Sequence, residues 1–297
     1  MIVLDAIDFL LSAGLAVDTA PPRELSAASQ LFIERVSGLQ GRTRDAVCWF
    51  NGESLAAIPG EEGWGLLLAR VGDVDARGLV VACHDPRVAL AELVARYFPP
   101  GDTWSGGAAA EVHATAILAP GVVLGCDVTI GAHSRIGPNT VLAHVTIGEG
   151  VEIGANCSVG LPGFGYVRRE DGSWLRFPHA GRVLIGDDVS IGSNSCIDRG
   201  SLSDTIIRKG AKVDNLVHVA HNVEIGEQAI VIAQSMLGGS AVIGANAWLS
   251  PAVSVLNKLT IGENSLVGMG SVVIKDVAPR SVVVGNPAKF LRFRESD

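Results

Sequence analysis

Aromatic residues make up only 5% of this 297-residue chain, and its 23 Lys and Arg are outnumbered by 31 Asp and Glu, for a formal net charge of −8. That shortage argues against a phosphate-tracking surface, because nucleic-acid binding draws on clustered cations that displace counterions. Nucleic acid is set aside as a partner. The five cysteines, Cys48, Cys83, Cys126, Cys157 and Cys196, are widely spaced, odd in number and never form C-x-x-C. Neither a disulfide framework nor a zinc knuckle is indicated, and the pattern suits a reducing, cytoplasmic setting. No uninterrupted apolar run reaches the roughly 18 residues a membrane helix needs, so no membrane span is expected. The apolar start, MIVLDAIDFLLSAGLAV, has no basic residues ahead of it and is interrupted by Asp5 and Asp8, which fits an amphipathic first helix better than a signal peptide.

What the chain does hold is glycine, 36 residues of it, and a repeat. Ile-Gly recurs at 130, 136, 147, 153, 185, 191, 225, 243 and 261, mostly six residues or multiples of six apart. Counting in sixes from Val213 to Val273 meets an aliphatic at every step. A second run from Val112 to Leu142 slips by one residue and continues as Ile147, Ile153 and Val159. One inward aliphatic per hexapeptide, followed by a small residue at a corner, predicts a parallel β-helix whose short strands form flat faces. The expected organisation is mainly β: a small α/β domain over 1–105, the β-helix over 106–275 and a C-terminal cap over 276–297. Within the first, DPRVALAELVARYF reads as an amphipathic helix carrying Val88, Leu90, Leu93, Val94 and Phe98 at helical spacing. Between Gly160 and Ile185 the sixes are lost, and Phe164, Tyr166, Trp174 and Phe177 gather there. Such a break predicts an excursion loop over 161–184, of the kind solenoids use for binding.

With about 18 residues per coil, residues 18 apart stack, so His221, Gly239 and Asn257 form a column two positions after the inward aliphatic. That position is at or past a corner and points outward. An outward imidazole that titrates near neutrality can take a proton from an attacking amine or hydroxyl. The unencumbered amide of Gly239 could meet the oxyanion of a tetrahedral intermediate. His218 has no carboxylate or Cys recurring at ligand spacing, so a metal site is not expected there.

The stretches GFGY (163–166), GRVLIGDDVSIGSNSCIDRGSLSDTII and VDNLVHVAHNVEIG resemble the UDP-3-O-(3-hydroxyacyl)glucosamine N-acyltransferases of lipid A biosynthesis over nearly the whole repeat region. The resemblance implies a left-handed parallel β-helix, a homotrimer with sites between subunits, and attack of a nucleotide-linked sugar amine on an acyl thioester. The donor is acyl carrier protein, or CoA in relatives, with no permanently bound cofactor. It assigns the base to His221, within AHN, and the oxyanion amide to Gly239, one coil on. By the same resemblance Asn51, Phe164, Tyr166, Asn222, Asn257 and Lys258 are candidate substrate contacts. In CWFNGES, Cys48 and Ser54 stand where the family has base-stacking aromatics, and Asn257 or Lys258 stands where it has a second histidine. The ending VVVGNPAKFLRF resembles acetyl-CoA-dependent hexapeptide acetyltransferases instead of the family's terminal helix. Acetyl-CoA-dependent sugar O-acetylation and a non-catalytic scaffold are the competing readings.

Overall fold

An aliphatic at every sixth position suits a chain that turns a corner every six residues. The computed structural model describes residues 3–18, 35–36, 46–50, 66–70, 79–98, 103 and 109–293. It divides into two compact units, one of Gly101–Phe164 with His179–Asp297 and one of Met1–Pro100 with Gly165–Pro178.

In the first unit, short strands stack into three faces. One face has ten strands from Ile117–Leu118 to Lys289–Phe293, a second has eight from Val123–Leu124 to Val272–Val273, and a third has eight from Glu111–Val112 to Thr260–Ile261. Each strand pairs in parallel with its counterpart one coil on. Lys212, Ile230, Trp248 and Leu266 are successive register partners, 18 residues apart. This is the parallel β-helix that the sixes predict. The parallel ladder runs through Ser281–Val284, and Lys289–Phe293 then folds back antiparallel on it. Ser281–Val284 therefore adds one more parallel strand to the ladder.

Corners this tight need left-handed backbone. From Leu216 to Gly270 every sixth residue has a φ between 56° and 67°. That conformation costs an ordinary residue about 1–2 kcal/mol and costs Asn or Asp less, and among the described residues eight of the 17 non-glycine positions with positive φ are Asn or Asp. The inward aliphatics offset the cost, since fully burying one contributes about 1.5–3 kcal/mol. Val219, Leu237, Val255 and Ile261 are each 0% exposed.

Two coils are longer than 18 residues. Register partners Glu152 and Ser190 are 38 apart, and Ser190 and Lys212 are 22 apart. Both surpluses fall at one corner, between the second and third faces. The first is the segment between Ser158–Pro162 and Val183–Ile185, and the second is Gly200–Asp204, between Cys196–Arg199 and Thr205–Ile207.

The other unit is α/β. Strands β1 (Ala16–Asp18), β2 (Arg35–Val36), β3 (Ala46–Phe50), β4 (Leu66–Ala69) and β5 (Leu79–Cys83) form a sheet in the order β1-β5-β4-β3-β2, with β1 antiparallel to β5 and the rest parallel. Helix α1 is Val3–Ser12 and α2 is Pro86–Tyr97. Asp85 caps α2 by accepting from the Arg87 and Val88 amides at 2.9 and 3.2 Å, with Pro86 at the first position where a missing N–H costs nothing. Val88, Leu90, Leu93 and Val94 are buried as their spacing requires, whereas Phe98 lies past the helix as its C-cap. The unit also contains the middle of the sequence break. Tyr166–Arg168 and Trp174–Arg176 pair as an antiparallel hairpin around Asp171-Gly172, Phe177 is 5% exposed, and Arg169 Nε donates to Glu92 of α2 at 2.6 Å. What reads in sequence as one loop over 161–184 is thus split, its ends in the β-helix unit and residues 165–178 in the α/β unit.

Candidate active site

The corner that carries both surpluses also carries His221 and Asn222, Gly239 and Ser240, and Asn257 and Lys258 on successive coils. Asn222 holds the left-handed position, φ 62°, and its side chain knits the corner together. Its Nδ2 donates to the Ser203 carbonyl at 2.6 Å and to Ser203 Oγ at 2.9 Å. Its Oδ1 accepts from Ser201 N–H at 3.1 Å and from Ser201 Oγ at 2.7 Å. A backbone carbonyl can only accept and a backbone N–H can only donate, so the orientation of the amide is fixed by its partners. The oxygen that His221 Nδ1 meets at 2.9 Å is therefore an acceptor, and Nδ1 carries the proton. In the neutral ring Nε2 then holds the lone pair, which is the state a general base requires.

Gly239 is buried one coil on. A Cβ there would come within 2.8 Å of His221 Cε1 and Nε2, so the imidazole fills the space that any side chain would take. Its φ lies outside the left-handed range, so room and not backbone conformation calls for glycine. Its carbonyl accepts from Lys258 N–H at 2.9 Å. Its own N–H has no carbonyl partner among the described residues. At comparable corners the Glu149 and Ser193 amides donate to Asp187 and Asn215 side chains on the next coil. Next to Gly239, Asn257 and Lys258 are exposed, and Lys258 occupies a left-handed corner at φ 63°.

Three residues that sequence reasoning left without a role join this corner. His179, 4% exposed, sets its ring edge-on to His221 with centroids 5.4 Å apart. Asp198 lies on the coil before His221, its Oδ2 3.8 Å from His218 Nε2. Burial raises the Asp198 pKa, and the His218 and then His221 charges pull against that. Arg199 donates through Nε to the Gly181 carbonyl at 2.6 Å, and burial pushes its pKa down to about 10. Arg182 ties the same region to Asp204 and to the Asp127 carbonyl, at 2.7 and 2.8 Å. For Asp198 and Arg199 the sequence marks only the insertion, a spacing of ten between the inward Ile197 and Ile207 where six would do, and not which side chains meet there.

The structure brings together His221, Gly239, Asn222, Asn257 and Lys258. Phe164, 89% exposed, belongs to the β-helix unit, whereas Tyr166 begins the hairpin of the α/β unit. Asn51 and Ser54 lie outside the described residues. Among the described residues, no three His, Cys, Asp or Glu side chains are grouped to hold a metal ion.

A family model described as bacterial transferase hexapeptide (six repeats) matches residues 127–160. Over 161 residues the chain is 39% identical to a UDP-3-O-acylglucosamine N-acyltransferase of Methylorubrum extorquens, a stretch that makes up 54% of this chain and 46% of that protein. An identically named protein of Methylobacterium nodulans is 42% identical over 154 residues, 51% of this chain and 44% of that one. The chain thus spans a little under half the length of these curated relatives. Among solved structures, a UDP-N-acetylglucosamine acyltransferase from Campylobacter jejuni superposes with a TM-score of 0.51 at 18% identity, covering 62% of this chain and 75% of that one. That is a likeness of fold.

Proposed function

We propose that this chain is an N-acyltransferase that moves an acyl group from a phosphopantetheine thioester, on acyl carrier protein or CoA, to the amine of a nucleotide-linked amino sugar. The observation that carries the reading is the corner in which Asn222 holds His221 in the tautomer of a base, packed against the Gly239 amide. In the reaction the amine nitrogen attacks the thioester carbonyl, and His221 Nε2 takes the proton it sheds. Gly239 N–H donates to the oxygen as it gains negative charge. Collapse of the intermediate breaks the C–S bond, and the departing sulfur leaves as a thiol with the proton from His221. A C–N bond has formed, and the enzyme is unchanged.

The relatives' names supply the acceptor, UDP-3-O-acylglucosamine, and the same compound is proposed here, within lipid A or surface-polysaccharide formation. Lys258 offers an ammonium to a phosphate group, and Asn257 and the exposed Phe164 flank the acceptor. Tyr166 and Asn51, which belong to the α/β unit, are further proposed substrate contacts. Met236, Leu256 and Ile274, 42%, 54% and 45% exposed around this corner, support a homotrimer in which a neighbour covers them. Among the described residues no helix is long and apolar enough to cross a membrane, and the proposed place of action is the cytoplasm.

The test is mass spectrometry of products from a panel of nucleotide-linked amino sugars, each offered with acyl carrier protein and CoA donors. The reading requires a mass increase of one acyl group that survives mild base, as an amide does and an ester does not. Base-labile products alone would replace it with O-acyl transfer.

A further inference from the structure

The carboxylate of Asp198 has no part in the chemistry described so far, yet it stands beside it. Ile197 and Val219 are register partners, which sets Asp198 next to Ala220 and His221 on the following coil. On the preceding coil Leu161 is its partner, and a Cβ on Gly163 would come within 2.7 Å of Asp198 Oδ2. The carboxylate thus lies in the column of corners that runs on through His221 to Gly239. Its side chain is 16% exposed, and its 3.8 Å separation from His218 Nε2 is beyond hydrogen-bond length. Oxygens held this way keep acceptor capacity for a ligand. The electrostatic sensitivity of Asp198 to both His218 and His221 agrees with that placement.

We propose that Asp198 accepts a hydrogen bond from the acceptor amine and selects nitrogen over oxygen nucleophiles. The inference rests on the acyl-transfer reading above and gives that site its acceptor specificity. When an amine attacks a thioester, its nitrogen becomes positively charged before it sheds a proton. A neighbouring carboxylate stabilises that charge as it forms, and stabilisation confined to the transition state is what raises a rate. The amine has a second N–H to give Asp198 while the first goes to His221. An attacking hydroxyl has one proton, and His221 takes it, leaving an oxygen lone pair facing a carboxylate. Repulsion there disfavours the competing substrate, so the same residue serves both sides of the discrimination.

The test measures kcat/KM of the full chain for a nucleotide-linked 2-amino sugar and for its 2-hydroxy counterpart, with one acyl-CoA donor. Wild type should favour the amine, and Asp198→Asn, nearly the same shape without the charge, should lower the amine rate on the order of 10² while the hydroxyl rate holds or rises. Asp198→Glu should keep part of the preference. If Asp198→Asn does not fold, Asp198→Ser carries the same expectation. An equal fall for both acceptors would mark a structural role and overturn the proposal, as would an unchanged ratio. A wild type that acylates neither acceptor would remove the proposed function and this inference together. Amine acylation that is indifferent to Asp198 would remove this inference alone.

Discussion

Asn222 does three things at once, and they can be separated. It occupies a left-handed corner at φ 62°, fixes His221 through a 2.9 Å bond, and ties down the Gly200–Asp204 insertion through Ser201 and Ser203. Asn222→Ala should lower kcat about tenfold or more and also cost about 1–2 kcal/mol, because alanine resists positive φ. Asn222→Gly relieves the backbone and should recover part of that stability without restoring kcat. Recovery of both would mean that the hydrogen bond does not matter. Gly239 is the complementary case. A methyl group there meets the imidazole at 2.8 Å while the backbone accepts alanine. Gly239→Ala should therefore lower kcat on the order of 10² with little change in melting temperature. At that distance the methyl has to displace the base before it can crowd an approaching carbonyl. A variant with full activity would place the thioester elsewhere.

At the scale of the element, each two-residue strand from Arg135–Ile136 to Val272–Val273 has one buried and one more exposed side chain, and they carry different energies. Ile261 is 0% exposed, and its partner in the strand, Thr260, faces solvent. Ile261→Ala should cost about 2–5 kcal/mol in urea unfolding, and Thr260→Ala about 0.5 or less. Similar costs would contradict the alternation. This alternation is why the sixes were legible: an inward aliphatic is dictated by the core at every step, whatever the outward residue does. The one-residue slip after Leu142 was visible for the same reason and appears as the 17-residue spacing of register partners Arg135 and Glu152. The hairpin was not legible as part of the α/β unit, because Tyr166–Arg168 and Trp174–Arg176 pair locally and their link to Glu92 is a contact across 77 residues. The roles of His179 and Asp198 were hidden likewise. Nothing in a six-residue count says which outward side chains converge once an insertion bends the corner.

For the whole molecule, pH acts through groups on opposite sides of their ordinary values. Burial and then the Arg199 charge hold His144 below 6.5, and its Nε2 is buried without a partner among the described residues. The unfolded chain binds that proton more readily, so His144's contribution is complete above about pH 6.5 and is lost as pH falls through that value toward the folded pKa. Asp198, raised by burial, works the other way and relieves some cost as pH falls. Wild type should therefore lose more melting temperature than His144→Gln between about pH 7.5 and about pH 5.5. Glutamine is suitable because Gln228 and Gln234 already hold corners of this kind, at φ 56° and 63°. Parallel curves for the two proteins would rule out His144 as the source.

Every step of the proposed acyl transfer to nitrogen depends on His221 as its base. Its most direct test is the turnover of His221→Ala at saturating donor and amino-sugar acceptor, with circular dichroism and melting temperature confirming an intact β-helix. Loss of the base should lower kcat by about 10² to 10⁴. A folded His221→Ala protein that keeps more than a few per cent of wild-type kcat would contradict it.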